Sequence, residues 1–427
     1  MKQQHRMTLK TVAVIGVLAM VGGIAACSET DTTTSDEGGG LPVGATREDY
    51  IDALADMDPV TLTIQSNQNP GDPMSLQWEL YAEKVEDWSG GNITFDISYG
   101  SAIAQGGDST VAVQDGRLSM GGVLASYEPS AFPATNELYN TVFLHEQTPV
   151  AGMLQATGAL FEATWNTPEI VEEWRDYGVE PAFMALPGVP NGVLCSEPRS
   201  DLSDLKGVQT RVGGTVHEKE AAALGMSGVS LQFTEVYEAL QRGIIDCSVM
   251  TLVTASVSGL LPVAPYFAID EEVGFSAATT GMGFDPVLWE ELPVEARQLL
   301  WDSLDVYVEW ALRAYWQILA SASQEMAEVG GEVLPLGDDA VTVLQETNDE
   351  LLEEIGTSDT FDDAAAVKDL LVTTNDKWED VIQELGYADE DPGFTDFGDW
   401  YVDESVVDLE PFMDYLFAEV LSEHRPS

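Results

Sequence analysis

Two stretches of alternating apolar and polar residues predict the first strands of a sheet. Val60 to Ile64 reads Val-Thr-Leu-Thr-Ile and Ile93 to Ile97 reads Ile-Thr-Phe-Asp-Ile, a period of two that is typical of strands. Between them, apolar residues recur at helical spacing from Leu76 to Val85, and this helix is expected to end before Gly90. The order strand, helix, strand, with short glycine-containing connections, indicates an α/β sheet flanked by helices.

The same kind of pattern predicts elements on both sides of this unit. A short helix is expected after Thr46, because Thr46 and Asp49 have the spacing of a capping box. We also predict a helix near residues 108–115, a strand at 118–123 and a helix over 150–163.

The longest helical pattern begins after Leu292-Pro293. Its apolar face runs from Leu300 to Ile318, and the helix is expected to end at Gly330-Gly331. At about 35 residues it would be far longer than an average helix. Such a helix either crosses from one lobe to another or covers a single lobe, and the pattern leaves both open. The remaining stretch is predicted to be helical and acidic, with an aromatic-rich segment from Phe394 to Tyr401.

The N-terminal segment has the pattern of an export signal. Lys2, Arg6 and Lys10 precede or border an apolar run from Thr11 to Ala26, which is shorter than the roughly 20 residues of a membrane-spanning helix. Ile-Ala-Ala before Cys27 resembles the bacterial lipobox. That resemblance implies that residues 1–26 are removed and that the Cys27 thiol is acylated. The alternative is a cysteine that merely ends the signal.

A polar segment follows the signal. Ser28 to Gly40 contains no apolar residue, a composition that predicts a flexible tether. We assign residues 27–58 to this tether. It would hold a globular body away from the membrane.

Composition and charge narrow the possible functions. The 427-residue chain is long enough for two or three domain-sized units, and its 44% hydrophobic content is that of a globular protein. Seventeen Lys and Arg oppose 74 Asp and Glu, for a net charge of −57. A surface this negative repels phosphate backbones, so nucleic-acid binding is excluded. We interpret the charge as a solvated surface, compatible with a salt-rich habitat.

The sequence contains no recognisable catalytic or metal-binding motif. The histidines occur in none of the spacings of zinc sites, and neither a nucleophile elbow nor a P-loop is present. Asp389-Glu390-Asp391 resembles a calcium loop only in its charge. The four histidines of the chain are His5, His145, His217 and His424. We therefore predict a protein that is not an enzyme and has no cofactor and no metal site.

Cys195 and Cys247 are the interior cysteines. In an exported protein such a pair is a candidate disulfide. The alternative is two buried free thiols.

Residues 204–247 predict a succession of strand, helix, strand, helix and strand. Arg211 lies in the first of these strands, in a region with few cations. An arginine that faces a cleft suits a carboxylate, because its planar fork donates two parallel hydrogen bonds. The alternative is a structural ion pair with one of the many acidic residues.

This segment resembles the solute-binding proteins of tripartite ATP-independent periplasmic (TRAP) transporters, of the dicarboxylate-binding type. The resemblance is most specific from Asp204-Leu205-Lys206-Gly207 to Arg211-Val212, and from Glu235-Val236-Tyr237-Glu238-Ala239-Leu240 to Asp246. It extends over about residues 60–385. The family pattern implies an α/β, two-lobed, periplasmic-binding-protein-like fold with a hinge and a long lobe-bridging helix.

On this basis the chain divides into predicted lobes. Lobe I comprises residues 59–188 and 277–318, and lobe II comprises residues 189–276 and 319–385. Residues 386–427 form an acidic C-terminal extension.

The resemblance also implies ligand-binding residues. Arg211 falls on the family's carboxylate-binding arginine. Where many members have a second arginine this chain has Asn191, and the position of the ligand-binding asparagine is Met250, followed by Thr251. The loss of a cation and of an amide favours a less polar cleft, so we expect a monocarboxylate with an apolar or aromatic body.

Two further residues are expected at the cleft by the same analogy. They are Asn67, after the first strand, and Tyr127, in the segment 120–127. The alternatives are a turn residue and a packing residue, respectively.

The predicted function is that of a lipid-anchored extracytoplasmic receptor. It would act as a monomer at the outer face of the cytoplasmic membrane, or in the periplasm, and deliver a small organic acid to TRAP-type membrane permease subunits. The alternatives are a binding protein for a non-acidic solute, and a surface protein or enzyme on a similar bilobed scaffold.

Overall fold

The strands of the protein lie between Val60 and Pro335 in a computed structural model, which describes residues 39–231, 233–277 and 279–427. In this described part the strands are β1 (Val60–Gln65), β2 (Ile93–Ser98), β3 (Met120–Val123), β4 (Glu180–Leu186), β5 (Asn191–Cys195), β6 (Gln209–Val212), β7 (Ser227–Ser230), β8 (Cys247–Thr251), β9 (Tyr266–Ile269), β10 (Thr280–Phe284) and β11 (Glu332–Pro335).

The α-helices lie before, between and after these strands. They are α1 (Arg47–Leu54), α2 (Pro73–Trp88), α3 (Ser109–Gln114), α4 (Pro133–Tyr139), α5 (Ala151–Trp165), α6 (Pro168–Tyr177), α7 (Leu202–Leu205), α8 (Thr215–Ala223), α9 (Val236–Gln241), α10 (Leu252–Val257), α11 (Pro286–Glu291), α12 (Val294–Asp302), α13 (Leu304–Glu328), α14 (Asp338–Ile355), α15 (Ala364–Glu384), α16 (Tyr387–Glu390), α17 (Gly393–Trp400) and α18 (Glu410–Glu419).

Local sequence explains where the first helices begin. The hydroxyl of Thr46 accepts the N–H of Asp49, and the Asp49 carboxylate accepts the N–H of Thr46, so the predicted capping box forms. Helix α2 begins with Pro73 behind the capping side chain of Asp72. It ends before Gly90 and Gly91, which both adopt positive φ.

The strands form three sheets within the described residues. Strands β1 and β2 pair in parallel, and β3, β10 and β4 form an antiparallel sheet. The third sheet has six strands in the order β11-β9-β5-β8-β6-β7 and mixes parallel and antiparallel pairs. The chain passes between the second and third sheets at residues 187–190, from β4 to β5, at residues 270–279, from β9 to β10, and through α11, α12 and α13, from β10 to β11.

The central strands β5 and β8 of the six-stranded sheet are buried on both faces, whereas the edge strand β7 is mostly exposed. On one face Val193, Val212 and Val249 pack in a hydrophobic cluster with α8 and α14. On the other face Leu194 and Met250 belong to the larger core of the protein. Such two-sided burial is expected of a sheet covered by helices on both faces.

The single long helix predicted after Pro293 is wrong, because the chain forms two helices there. Helix α12 ends at Asp302 and α13 begins at Leu304, with Ser303 between them at φ −85° and ψ −3°. Tertiary contacts hold both sides of the break: the Asp302 carboxylate accepts hydrogen bonds from Arg425, and the Asp305 carboxylate accepts them from Lys84. The longer helix, α13, packs against α2, α10, α17 and β11.

The aromatic segment of the C-terminal extension packs against α13. Phe394, Phe397 and Tyr401 are buried, and the rings of Phe397 and Tyr401 stack with centroids 5.6 Å apart. Tyr401 also lies 6.2 Å from the ring of Trp316 on α13. Burial against α13 is therefore the role of these aromatic residues, which the sequence pattern did not reveal.

Cys195 and Cys247 form the predicted disulfide. They lie directly opposite each other on β5 and β8, with Cα atoms 4.1 Å apart. Both belong to the hydrophobic cluster on the α8 and α14 face of the six-stranded sheet.

Residues 40–427 form one compact unit. Its packed part begins before residue 59, since Tyr50 and Leu54 of α1 are buried within the range predicted as tether. The predicted signal, Cys27 and the first part of the tether lie outside the described residues. Of the helices in the described residues, none is long and apolar enough to cross a membrane.

Candidate ligand-binding cleft

Arg211 lies on β6, where it pairs with Ser248 of β8 and Val229 of β7. Its side chain is half-buried, and its Nε has no hydrogen-bond partner. None of the carboxylates between residues 39 and 427 that the structure describes forms an ion pair with it. Burial lowers the pKa of Arg211, and the nearby phenol of Tyr127 partly offsets this effect. The Arg211 guanidinium is thus half-buried and forms no ion pair with a described carboxylate, although the protein is strongly acidic.

Aromatic side chains surround this guanidinium. The Arg211 Cζ lies 5.7 Å from the centre of the Phe233 ring, a cation–π distance. Tyr127 lies on the short helical turn that follows β3 and is 68% exposed. Arg211 on β6 thus lies close to the ring of Phe233, which the sequence reasoning missed, and within electrostatic range of Tyr127 on the turn after β3.

A cavity of about 170 Å³ lies beside the antiparallel sheet. Asn67 lines it, and the Asn67 side-chain oxygen accepts a hydrogen bond from the Ser101 hydroxyl at 3.1 Å. Gly106 also lines the cavity, and a Cβ built on the adjacent Gly107 would lie 3.8 Å from the Tyr127 ring. Tyr127 is therefore close both to this cavity and to Arg211. The polar and aromatic lining residues include Gln65, Asn67, Gln77, Trp78, Tyr307 and Tyr315.

A larger cavity of about 420 Å³ lies between α13 and the C-terminal extension. Its cation is Arg313, whose Nε and Nη2 bond to Glu309 and whose Nη1 donates to the carbonyls of Glu404 and Val407. Because every nitrogen of this guanidinium is already engaged, we do not assign an acid-binding site there.

Met250 and Thr251 are held within the protein. Met250 is 3% exposed and pairs with Gly192 in the sheet. The Thr251 hydroxyl caps α10, where it accepts the N–H of Thr254. The structure gives neither residue a contact with Arg211, and their part in ligand binding stays a prediction.

Asn191 opens β5 and is buried. Its amide nitrogen donates to the carbonyl of Ser276 at 2.7 Å and lies 3.4 Å from Nε2 of His217. His217 and Glu220 of α8 also contact Ser276, and sequence reasoning did not connect these residues with the site. A signal was present, since positions 217, 220, 221 and 224 share one helix face that includes the apolar Ala221 and Leu224.

The described residues include no group of histidine, cysteine, aspartate or glutamate side chains arranged to hold a metal ion. Asp391 is the last residue of the acidic run Asp389-Glu390-Asp391. Its carboxylate accepts hydrogen bonds from the N–H groups of Val150 and Ala151 at the start of α5. Its carboxylate therefore caps a helix.

Solved structures with a similar fold include three from two bacterial genera. A TRAP solute-binding protein of Rhodoferax ferrireducens, in complex with copurified benzoate, is 15% identical, with a TM-score of 0.62 over 75% of this chain and 99% of the other. A TRAP periplasmic solute-binding protein of Bordetella bronchiseptica with bound mandelate is 18% identical, with a TM-score of 0.62 over 77% and 100%. The receptor DctP7 of Bordetella pertussis, which binds pyroglutamic acid, is 20% identical, with a TM-score of 0.56 over 74% and 99%. The two-lobed α/β fold predicted from the sequence is thereby confirmed.

Among curated proteins, the uncharacterized protein y4mM of Sinorhizobium fredii is 23% identical over 212 residues. That match covers 49% of this chain and 37% of the relative, so the chain spans little more than a third of the length of this relative. The sequence profile of the bacterial extracellular solute-binding proteins, family 7, matches residues 64–359, which is more than half of the chain. The resemblance deduced from the residues around Arg211 is confirmed, and the chain belongs to family 7 of the bacterial extracellular solute-binding proteins.

Proposed function

We propose that this protein is the extracytoplasmic receptor of a TRAP-type transporter and binds a small monocarboxylate between its two lobes. The observation that carries the proposal is the state of Arg211, whose half-buried guanidinium has no ion pair with any described carboxylate although the chain contains 74 acidic residues. A cation that is partly desolvated and unpaired favours an incoming anion.

The surroundings of Arg211 support an acid with an apolar or aromatic body. Phe233 and Tyr127 provide ring surface beside the guanidinium, and Trp78 and Tyr307 line the nearby cavity. Aromatic side chains around a single charged group suit a ligand with one carboxylate and a flat apolar part. The relatives in complex with benzoate and with mandelate hold acids of this class.

The proposed receptor catalyses no reaction. Ligand binding would close the lobes by a hinge motion at residues 187–190 and 270–279, two of the three connections between the second and third sheets. The lobe ranges predicted from the sequence are part of this proposal. The closed, ligand-loaded monomer would then be recognised by membrane permease subunits.

A thermal-shift screen tests the proposed ligand class. The protein from residue 40 onward would be screened against benzoate, mandelate, pyroglutamate, succinate, glycerol 3-phosphate, neutral amides and sugars. A ligand at a hundredfold excess over its dissociation constant stabilises the native state by about 2.7 kcal/mol, enough for a clear rise in Tm. We expect shifts from the monocarboxylates. Shifts from neutral compounds alone would contradict the proposal and favour a receptor for non-acidic solutes.

We further propose that acylated Cys27 anchors the receptor to the outer face of the cytoplasmic membrane. The basic start, the apolar run and the small residues before Cys27 support this assignment. Two acyl chains on one residue would give stable attachment. Metabolic labelling with an alkyne fatty acid should mark the full-length chain in a bacterial host, and Cys27→Ser should abolish the label and release the protein from membranes. Unchanged labelling of Cys27→Ser would refute the anchor.

A further inference from the structure

The backbone of one residue in the connection between β9 and β10, Ser276, is held by three side chains. The carbonyl of Ser276 accepts hydrogen bonds from Asn191 Nδ2 and from His217 Nε2, each at 2.7 Å. The N–H of Ser276 donates to Glu220 Oε1, also at 2.7 Å. The two peptide groups that flank Ser276 are therefore fixed by residues that belong to β5 and α8.

Asn191, Glu220 and Ser276 are buried and His217 is partly buried, so these bonds are largely shielded from water. Glu220 is 0% exposed, and its second oxygen, Oε2, has no partner. Burial raises the pKa of Glu220 to about 7, and the bond from the Ser276 N–H acts in the opposite direction. Hydrogen bonds in such surroundings are strong, and a lost partner leaves a buried polar atom unsatisfied.

His217 has a second bond that leads toward Arg211. Its Nδ1 accepts the N–H of Gly213 at 3.3 Å, so the ring is the neutral tautomer with the proton on Nε2. Burial lowers the pKa of His217 and the nearby charge of Arg211 lowers it further, whereas the Ser276 carbonyl raises it. Gly213 is two residues beyond Arg211, and a Cβ built on Gly213 would lie 3.3 Å from Arg211 Nη1.

The other ends of the network reach the connections between the sheets. Asn191 is the first residue after the connection from β4 to β5, and Ser276 lies within the connection from β9 to β10. Four residues after Ser276, Thr280 lines the cavity that contains Asn67. The network thus joins the loop after Arg211 to these two connections and, through the one from β9 to β10, to the cavity beside the antiparallel sheet.

We propose that His217, with Asn191 and Glu220, forms a bracket on the Ser276 backbone that positions the loop after β6, and with it Arg211, relative to these two connections between the lobes. The bracket keeps the guanidinium aimed at the cleft while the connections bend. His217 is the central positioning residue, because it alone bonds both to Ser276 and to the backbone behind Arg211. The effect on ligand affinity rests on the proposed function, whereas the bracket itself does not.

Calorimetric titration of the protein from residue 40 onward with benzoate, or with whichever panel acid binds the wild type, tests the bracket. His217→Ala removes both bonds, and we expect its Kd to rise at least tenfold. His217→Gln can place an amide N–H near the Ser276 carbonyl. Its Kd should therefore be at least threefold lower than that of His217→Ala. Lys219→Gln, on the exposed face of the same helix, is the matched control and should leave Kd within twofold of the wild type.

A second background separates positioning from a merely structural role. Arg211→Lys keeps the charge but lacks the planar fork, so its binding no longer depends on how the fork is aimed. In the Arg211→Lys background we expect His217→Ala to raise Kd less than threefold. A general loss of stability would not produce this difference between the two backgrounds. An equal loss of affinity in both backgrounds, or an unchanged Kd in His217→Ala itself, would overturn the proposal.

Hydrogen exchange of the ligand-free protein distinguishes failure of the bracket from failure of the proposed function. If the wild type binds none of the acids, the proposed function fails, and the bracket is judged by the Ser276 amide alone. We expect this amide to be protected in the wild type and to exchange at least tenfold faster in Glu220→Ala. An unprotected Ser276 amide in the wild type would overturn the bracket.

Discussion

The guanidinium of Arg211 lies against the ring of Phe233, with Cζ 5.7 Å from the ring centre. A guanidinium that stacks on a ring keeps its N–H groups in its own plane, where an anion can accept them. Phe233 is 40% exposed, so the pair borders solvent and not the core. The carboxylate of the proposed ligand would therefore lie beside an aromatic ring at the border of the solvent.

The buried carboxyl of Glu220 should make stability depend on pH. Burial raises its pKa from 4.5 to about 7 in the folded protein. The folded state therefore holds the proton more tightly than the unfolded state, and this stabilisation is present below pH 4.5 and is lost as the pH rises through about 7. The difference corresponds to about 3 kcal/mol in the free energy of unfolding.

Urea unfolding of the wild type and Glu220→Gln at several pH values measures this difference. The amide introduced by Glu220→Gln is neutral at every pH, so the wild type should lose stability relative to the variant as the pH rises. The variant shares the other nearby groups, namely His217 on the same helix and the ion pair of Lys219 with Glu354 on α14. A constant difference across the range would contradict the shifted pKa.

The disulfide should contribute measurably to stability. It closes a chain segment between residues that are 52 positions apart, and loops of this size give about 2–4 kcal/mol. Cys195→Ala combined with Cys247→Ala should lose this amount in urea unfolding. Alkylation of the denatured, unreduced wild type should leave both cysteines unlabelled. Full labelling of both would contradict the bond.

A nearly buried ion pair fixes the end of the chain. Arg425 bonds to both oxygens of Asp302, at 2.7 and 2.9 Å, and to the hydroxyl of Tyr50 at 2.8 Å. Because Arg425→Ala leaves the Asp302 carboxylate buried without its cation, we expect a loss of about 3–5 kcal/mol in the free energy of unfolding.

The matched control for that loss is an exposed pair. The side chains of Arg117 and Asp115 are 45% and 44% exposed, so Arg117→Ala should cost less than about 1 kcal/mol. Equal losses in the free energy of unfolding for Arg117→Ala and Arg425→Ala would contradict the nearly buried ion pair of Arg425 with Asp302.

The net charge of −57 predicts stabilisation by salt. Repulsion among surface carboxylates opposes the compact state, and salt shortens its range from about 10 Å at 0.1 M to about 3 Å at 1 M. The urea midpoint should therefore rise when KCl is raised from about 0.1 M to about 1 M. A midpoint that falls over this range would contradict the interpretation of the charge as a salt-adapted surface.

Local periodicity was enough to predict elements whose stability is encoded within a few residues. Strands β1 and β2, helix α2 and the capping box of Thr46 are of this kind. The break at Ser303 was missed because it depends on contacts between Asp302 and Arg425, which are far apart in sequence.

The candidate site likewise combines residues that the local sequence identified and residues that it did not. The motif around Arg211 identified the guanidinium through the family resemblance, because the residues that carry the motif are close together in the sequence. The helix face of His217 and Glu220 was readable from its spacing, but its partner was not, since the Ser276 backbone has no side-chain signature. Phe233 was missed for a similar reason: its position over Arg211 is set by the packing of β6 against the loop before α9.

The most direct test of the receptor account is the calorimetric titration of wild type, Arg211→Gln and Arg117→Gln with benzoate or with the best acid from the screen. Both variants remove one positive charge, but Arg117 already pairs with Asp115. The account predicts that Arg211→Gln loses about 1.5–3 kcal/mol of binding free energy or more, while Arg117→Gln binds like the wild type. Equal affinity of Arg211→Gln and the wild type for the acid would contradict the central role of Arg211.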